Sequence, residues 1–424
     1  MDYNYFELLY YLTIWNLQQL LEAMMKNMSS TSRLKYFVLI LTILCLASAC
    51  ATPPPISIDE ALTAEKEEKL LWRRAQEEQQ VINDSGWLYR DPELETYLNQ
   101  VAAKLKAFTD SPDMLFDIKI INDPNLNAFA FPNGVIYVHT GVLARMENEA
   151  QLAALLAHEM THCTHRHSLR VLKSIKDQAG YMAAVQKTIE KVVIARDLAR
   201  FLGVNGSIAA VSGYTREFEA EADRGGLDLM AKAGYDPRQA LNLFEHLQQE
   251  IEIEGIKEPF FLGTHPSVQQ RMENVSQWLA TDYSGNIGLI NSEIFRSRLD
   301  KLVLDNARLD LRIGRFYAAQ RSVQKYLFRN QDDAGAYYLL GEIFRQQGQQ
   351  DDMKKVIKLY ERAIALDPSF PAPHKAMGLM HYKEGERRLA QKFFETCLLL
   401  SPNAPDKAYI QGYLQRCINS GEES

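Results

Sequence analysis

The chain is 424 residues long, 46% hydrophobic and 24% charged, with 54 acidic side chains against 47 basic ones and a formal charge of −7. That length suits two or three domains, and the balance excludes a disordered chain, a collagen-like repeat and a polytopic membrane protein. The acidic excess argues against a nucleic-acid binder, and five cysteines are too few for a disulfide-built scaffold.

Residues 1–27 are apolar with acidic and amide interruptions and do not fit the signal that follows. Met24, Met25 and Met28 lie just upstream of its basic flank, so 1–27 reads as a mis-assigned start or an extra segment. In 28–50, Arg33 and Lys35 precede the apolar run at 36–47, and Ser48-Ala49-Cys50 follows. The run falls short of the roughly twenty residues that span a bilayer as a helix, and its flanks have the grammar of a secretory signal peptide. With a cysteine after small residues, the segment resembles a bacterial lipoprotein signal, which implies that Cys50 becomes the lipidated N-terminus. Ala47 departs from that pattern, which prefers a larger aliphatic residue there. Residues 51–62, with Pro53-Pro54-Pro55, read as a stiff tether. By the same resemblance, Ala51 in place of Asp implies the outer membrane of a Gram-negative cell, facing the periplasm.

Residues 63–290 carry the chemistry. The stretch 129–139 reads as a hairpin turning at Asn133-Gly134. An edge strand there would accept an extended polypeptide by strand addition. Next comes His158-Glu159-Met160-Thr161-His162, led in by Ala150, Leu152, Ala153, Leu155, Leu156 and Ala157, all compatible with a helix. Histidines at i and i+4 share a helix face, which suits one zinc ion, with Glu159 as general base for a water. A metzincin would need Gly and His where His165 and Ser168 stand, so the third ligand is expected from a later helix. Residues 213–237 offer Glu217, Glu219, Glu221 and Asp223 on such a helix. Glu219 and Asp223 face the same way, the first able to ligate zinc and the second to accept a ring N–H from a ligating histidine. His165, His167 and Cys163 fall off the zinc-facing register and read as structural or packed.

These motifs, from Asn127 through His162 and on to E-x-E-A-D-x-x-G, resemble the HtpX-type gluzincin peptidases. The resemblance implies one zinc per chain, held by His158, His162 and Glu219, with Glu159 catalytic and Asp223 behind the ligands. The stretch T-H-P-S-V-Q-Q-R at 264–271 has a similar counterpart in that family, which makes His265 and Arg271 candidates for stabilising the developing oxyanion. His265 has two further readings, a plug on the open zinc position that keeps the enzyme latent and a plain helix cap.

Past a turn-rich boundary at 281–292, residues 303–420 become helical and repetitive. Gly314, Gly348 and Gly385 recur at similar places, and Asp367-Pro368 and Ser401-Pro402 are one 34-residue period apart. The pattern resembles tetratricopeptide repeats, an α-solenoid with a concave face for a protein partner. Cys397 and Cys417 lie in its last part, as either a disulfide staple in an oxidising compartment or two buried thiols.

The fold class expected is therefore α+β and mostly helical, a gluzincin domain with a small sheet followed by the solenoid. Together the resemblances imply a lipid-anchored zinc endopeptidase acting on unfolded or misassembled envelope proteins. The branch with this domain pairing is the beta-barrel assembly-enhancing proteases, which implies the outer-membrane barrel-assembly machinery as partner. The alternative is a non-enzymatic or latent chaperone or scaffold; Glu159 favours the enzyme, because a structural zinc site has no use for a base.

Overall fold

The computed structural model describes residues 61–174, 214–255, 268–348 and 353–419. The signal segment, Cys50, most of the tether and His265 lie outside them.

Helix α1 (Ala61–Asp84) leads in, and α2 (Pro92–Lys106) packs beneath the sheet. The start of α2 is set by Asp91, whose carboxylate accepts from the Leu94 N–H at 3.1 Å, and by Pro92 in the first turn. Its apolar stripe, Leu94, Leu98, Val101 and Leu105, is buried.

Strands β1 (Asp117–Ile121), β2 (Ala128–Ala130) and β3 (Val135–His139) form a three-stranded sheet in the order β1-β3-β2. β1 runs parallel to β3, and β2 runs antiparallel to it, pairing Ala128 with Val138 and Ala130 with Ile136. The expected hairpin is thus β2–β3, closed by the Gly134 N–H donating to the Phe131 carbonyl at 2.9 Å. Short helix α3 (Thr140–Arg145) leads into α4 (Glu149–Thr164), which is buried from Glu149 to Cys163. Asn148 caps α4 by accepting from the Gln151 N–H at 2.9 Å. The helix ends in a turn where Arg166 adopts φ 53°, which reverses the chain.

Helix α5 (Arg216–Lys232) lies against α4, and α6 (Arg238–Glu254) and α7 (Val268–Thr281) close the layer. The contact between α4 and α5 depends on a pair of glycines. A β-carbon on Gly225 would meet Thr161 Cγ2 at 2.6 Å, and one on Gly226 would meet the His158 backbone nitrogen at 3.2 Å. Without side chains there, the helices approach closely enough for α5 carboxylates to reach α4 imidazoles.

The remaining described helices stack in pairs: α8 (Ser292–Arg312) with α9 (Phe316–Arg329), α10 (Ala334–Gln347) with α11 (Met353–Leu366), and α12 (Pro371–Lys383) with α13 (Arg387–Leu400). Helix α14 (Lys407–Asn419) covers the end. Gly314, Gly348 and Gly385 stand between the partners of each pair in left-handed conformation, at φ 81°, 72° and 84°. The mostly helical α+β architecture with a solenoid is as the sequence predicts. Helix α8 belongs to both parts: Phe295, Leu299, Leu302 and Val303 pack into the sheet-containing core, while Leu304 and Ala307 join the repeat core. Among the described residues no helix is long and apolar enough to cross a membrane. Cys397 and Cys417 are buried free thiols sharing one small core between α13 and α14.

Candidate metal centre

One helical turn on α4 separates His158 from His162, and their Nε2 atoms lie 3.0 Å apart. Glu219, one turn into α5, reaches both: Oε2 is 3.5 Å from His158 Nε2 and Oε1 is 3.4 Å from His162 Nε2. All three side chains are buried, with donor atoms within 4.8 Å of one another. Two imidazoles and a carboxylate converging from two helices suit zinc with a position left open. The residues present therefore fit the ion that the motif implies.

Each donor is held from behind. Asp223 Oδ1 lies 3.0 Å from His158 Nδ1, which favours the tautomer that turns the Nε2 lone pair inward. Arg271 on α7 donates to both Asp223 oxygens, at 2.8 and 2.6 Å, and its Nη1 is 3.5 Å from Glu219 Oε2. Burial works to raise the Asp223 carboxyl, but the charge and hydrogen bonds of Arg271, together with those of His158, outweigh it and hold the carboxyl below the usual range. Arg271 is itself buried, and the ring of Phe244 lies 4.6 Å from its guanidinium carbon.

His162 is braced differently. Its Nδ1 lies 2.8 Å from Nδ1 of His167, and Tyr214 stacks on its ring with centroids 4.0 Å apart. Burial pulls the His167 imidazole down to about 4, so it is neutral. A neutral ring has one proton. If His162 turns its Nε2 lone pair inward, its Nδ1–H donates to His167 Nδ1, and the His167 proton sits on Nε2.

Glu159 is buried beside the two histidines, and burial pushes its carboxyl up to about 7. The Ala130 backbone on β2 lies beside this carboxylate and offsets part of that rise, while Glu159 Oε1 makes no hydrogen bond. The sheet edge and the acid therefore meet at one place.

Of the residues singled out in the sequence, the structure brings together His158, Glu159, His162, Glu219, Asp223 and Arg271. His265 lies outside the described residues. Cys163 is packed, its thiol donating to the Phe131 carbonyl at 3.3 Å. The sequence reading left out Tyr214, and it named His167 only as structural, whereas here His167 backs His162. Helical register points His167 away from the site, and only the turn at Arg166 returns it; Tyr214 lies just ahead of α5 with no local signal.

Residues 90–279 match the family profile described as Peptidase family M48, and residues 336–372 match that of the Tetratricopeptide repeat. The chain is 30% identical over 199 residues to the beta-barrel assembly-enhancing protease of Yersinia pestis, covering 45% of this chain and 40% of that one. To the protein of the same name from Escherichia coli it is 28% identical over 197 residues, with the same coverages of 45% and 40%. It is also 31% identical over 183 residues to the mitochondrial metalloendopeptidase OMA1 of Schizosaccharomyces pombe, covering 43% of this chain and 52% of that one. The chain thus spans about half the length, or less, of the curated relatives it matches.

Proposed function

Because the chain carries a metallopeptidase domain of family M48 followed by tetratricopeptide repeats, we propose that it is a zinc-dependent endopeptidase. The observation that carries this reading is the convergence of His158, His162 and Glu219 with Glu159 buried at their side. The chemistry supplied by a bound zinc ion is polarisation of the scissile carbonyl and acidification of a water. Glu159 then serves as the base, taking a proton from water at Oε1 and passing it to the leaving amine. Its burial suits both transfers, because a carboxyl near neutrality accepts and releases a proton with little driving-force penalty. Asp223 and His167 hold the ligating rings in one tautomer. Arg271, read from the sequence as an oxyanion donor, we assign to positioning, since its N–H groups are aimed at Asp223 and Glu219. The oxyanion donor we leave to His265, as the family resemblance implies.

The substrate class follows from β2. Phe129 and Phe131 spend their backbone groups on β3, so Ala128 and Ala130 present theirs to the opposite edge, where Ala130 already meets Glu159. An extended, unfolded segment added there would lie with its backbone against the base. Envelope quality control in the periplasm is supported by the signal-like segment 28–50 and by the likeness to beta-barrel assembly-enhancing proteases. Lipidation at Cys50 and docking of a protein partner on the repeats belong to the same reading.

Metal analysis and cleavage of casein and of unfolded outer-membrane protein test it. The wild-type chain is expected to bind zinc and cleave both. Glu159→Gln is expected to keep the metal and lose cleavage by roughly a hundredfold or more. Zinc without cleavage in the wild type would shift the reading to a scaffold or chaperone.

A further inference from the structure

Behind His162 stands a second set of metal-type donors that the peptidase reading does not use. Around the turn at Arg166, His165 and His167 both face α5, where Glu221, two residues on from Glu219, meets them. His165 Nδ1 is 2.6 Å from Glu221 Oε1, His167 Nε2 is 3.5 Å from Glu221 Oε2, and the three donor atoms lie within 4.8 Å of one another. His167 is fully buried, and its Nε2 makes no hydrogen bond although it is aimed into this cluster. The side chains of His165 and Glu221 are about one-third exposed, at 34% and 35%, so the cluster is open to solvent on that side.

We propose that His165, His167 and Glu221 form a second, weaker divalent-metal site for zinc or a similar borderline ion. Two imidazoles and a carboxylate are the donor set of the first site, with solvent completing the coordination. The weakness comes from Arg170, whose Nη1 donates to both Glu221 oxygens at 3.1 and 2.9 Å and places a positive charge beside the incoming cation.

The two sites share one hydrogen bond, and this makes them antagonists. An ion on His167 Nε2 needs the lone pair there, so the ring proton that Nε2 otherwise carries must sit on Nδ1 instead. There it faces His162 Nδ1 across 2.8 Å, where His162 needs its own proton in order to offer Nε2 to the first metal. Filling the second site therefore removes the acceptor that steadies His162 and weakens the first site by roughly tenfold, the usual effect of losing such a partner. Inhibition by excess metal follows; this last step rests on the zinc-peptidase reading, whereas the site does not.

The test is equilibrium dialysis of the full chain against increasing zinc, with metal counted by mass spectrometry, beside cleavage assays at each concentration. Wild type is expected to take up one more ion per chain than His165→Ala and than Glu221→Gln. Cleavage is expected to fall in excess zinc for wild type and to hold for His165→Ala. Equal uptake by wild type and both variants would overturn the proposal. The extra ion without cleavage at any zinc concentration would support the site and overturn the peptidase reading.

Discussion

Asp223 is fixed between His158 Nδ1 and the Arg271 guanidinium, so its charge serves two neighbours at once. Replacing it by Asn keeps the shape but removes the charge that faces both Arg271 and an imidazole that must offer a lone pair, leaving Arg271 only the Glu219 carboxylate that the metal needs. Asp223→Asn is therefore expected to weaken zinc binding by about 10–100-fold, measured by competition with a chromophoric chelator. Unchanged affinity would remove Asp223 from the metal machinery. The pairing was legible in the sequence because Glu219 and Asp223 are four apart and so share a face. The role of Arg271 was not, because its partner is set by where α7 lands on α5.

At the scale of elements, the site is a crossing of two helices, and the crossing distance is set by Gly225 and Gly226. Alanine at 225 would gain up to about 1 kcal/mol of helix propensity. Against this, its β-carbon would lie 2.6 Å from Thr161 Cγ2, an overpacking that costs about 1–3 kcal/mol and is relieved only by parting the helices. Gly225→Ala is accordingly expected to lower both the thermal midpoint and zinc content. Adding Thr161→Ala should recover part of each, since Thr161 Cβ stands at an ordinary 3.4 Å. No recovery in the double variant would mean that the contact does not set the spacing. The hairpin and the repeat turns, by contrast, were readable directly, because Asn-Gly and regularly spaced glycines act through local backbone geometry.

For the described molecule as a whole, the peptidase layer and the repeats are tied by α8 and by a buried charge network. Arg145, before α4, is buried and meets Glu250 on α6 at 3.1 Å and Asp310 on α8 at 2.9 Å; Arg321 on α9 also pairs with Glu250. Arg145→Met would leave Glu250 and Asp310 short of their shared cation, a loss worth about 3–5 kcal/mol. Because α8 contributes to both cores, the variant is expected to unfold in one transition at lower temperature, followed by calorimetry. Two separated transitions would show that the repeats fold independently of the peptidase layer.

What the sequence determined by itself was whatever depends on neighbours along the chain. The i, i+4 histidines with the intervening base, the acidic run at 217–223, the Asn-Gly hairpin and the repeat period all follow from fixed local geometry. What the tertiary structure decided was everything that depends on where distant segments meet. It put Ala130 against Glu159, stacked Tyr214 on His162, turned Arg271 toward Asp223, and returned His167 to the back of His162 while opening its other nitrogen toward Glu221. Helical periodicity says which way a side chain points on its own element. It says nothing of how closely two helices cross or where a left-handed residue reverses the chain, and those two distances made the site.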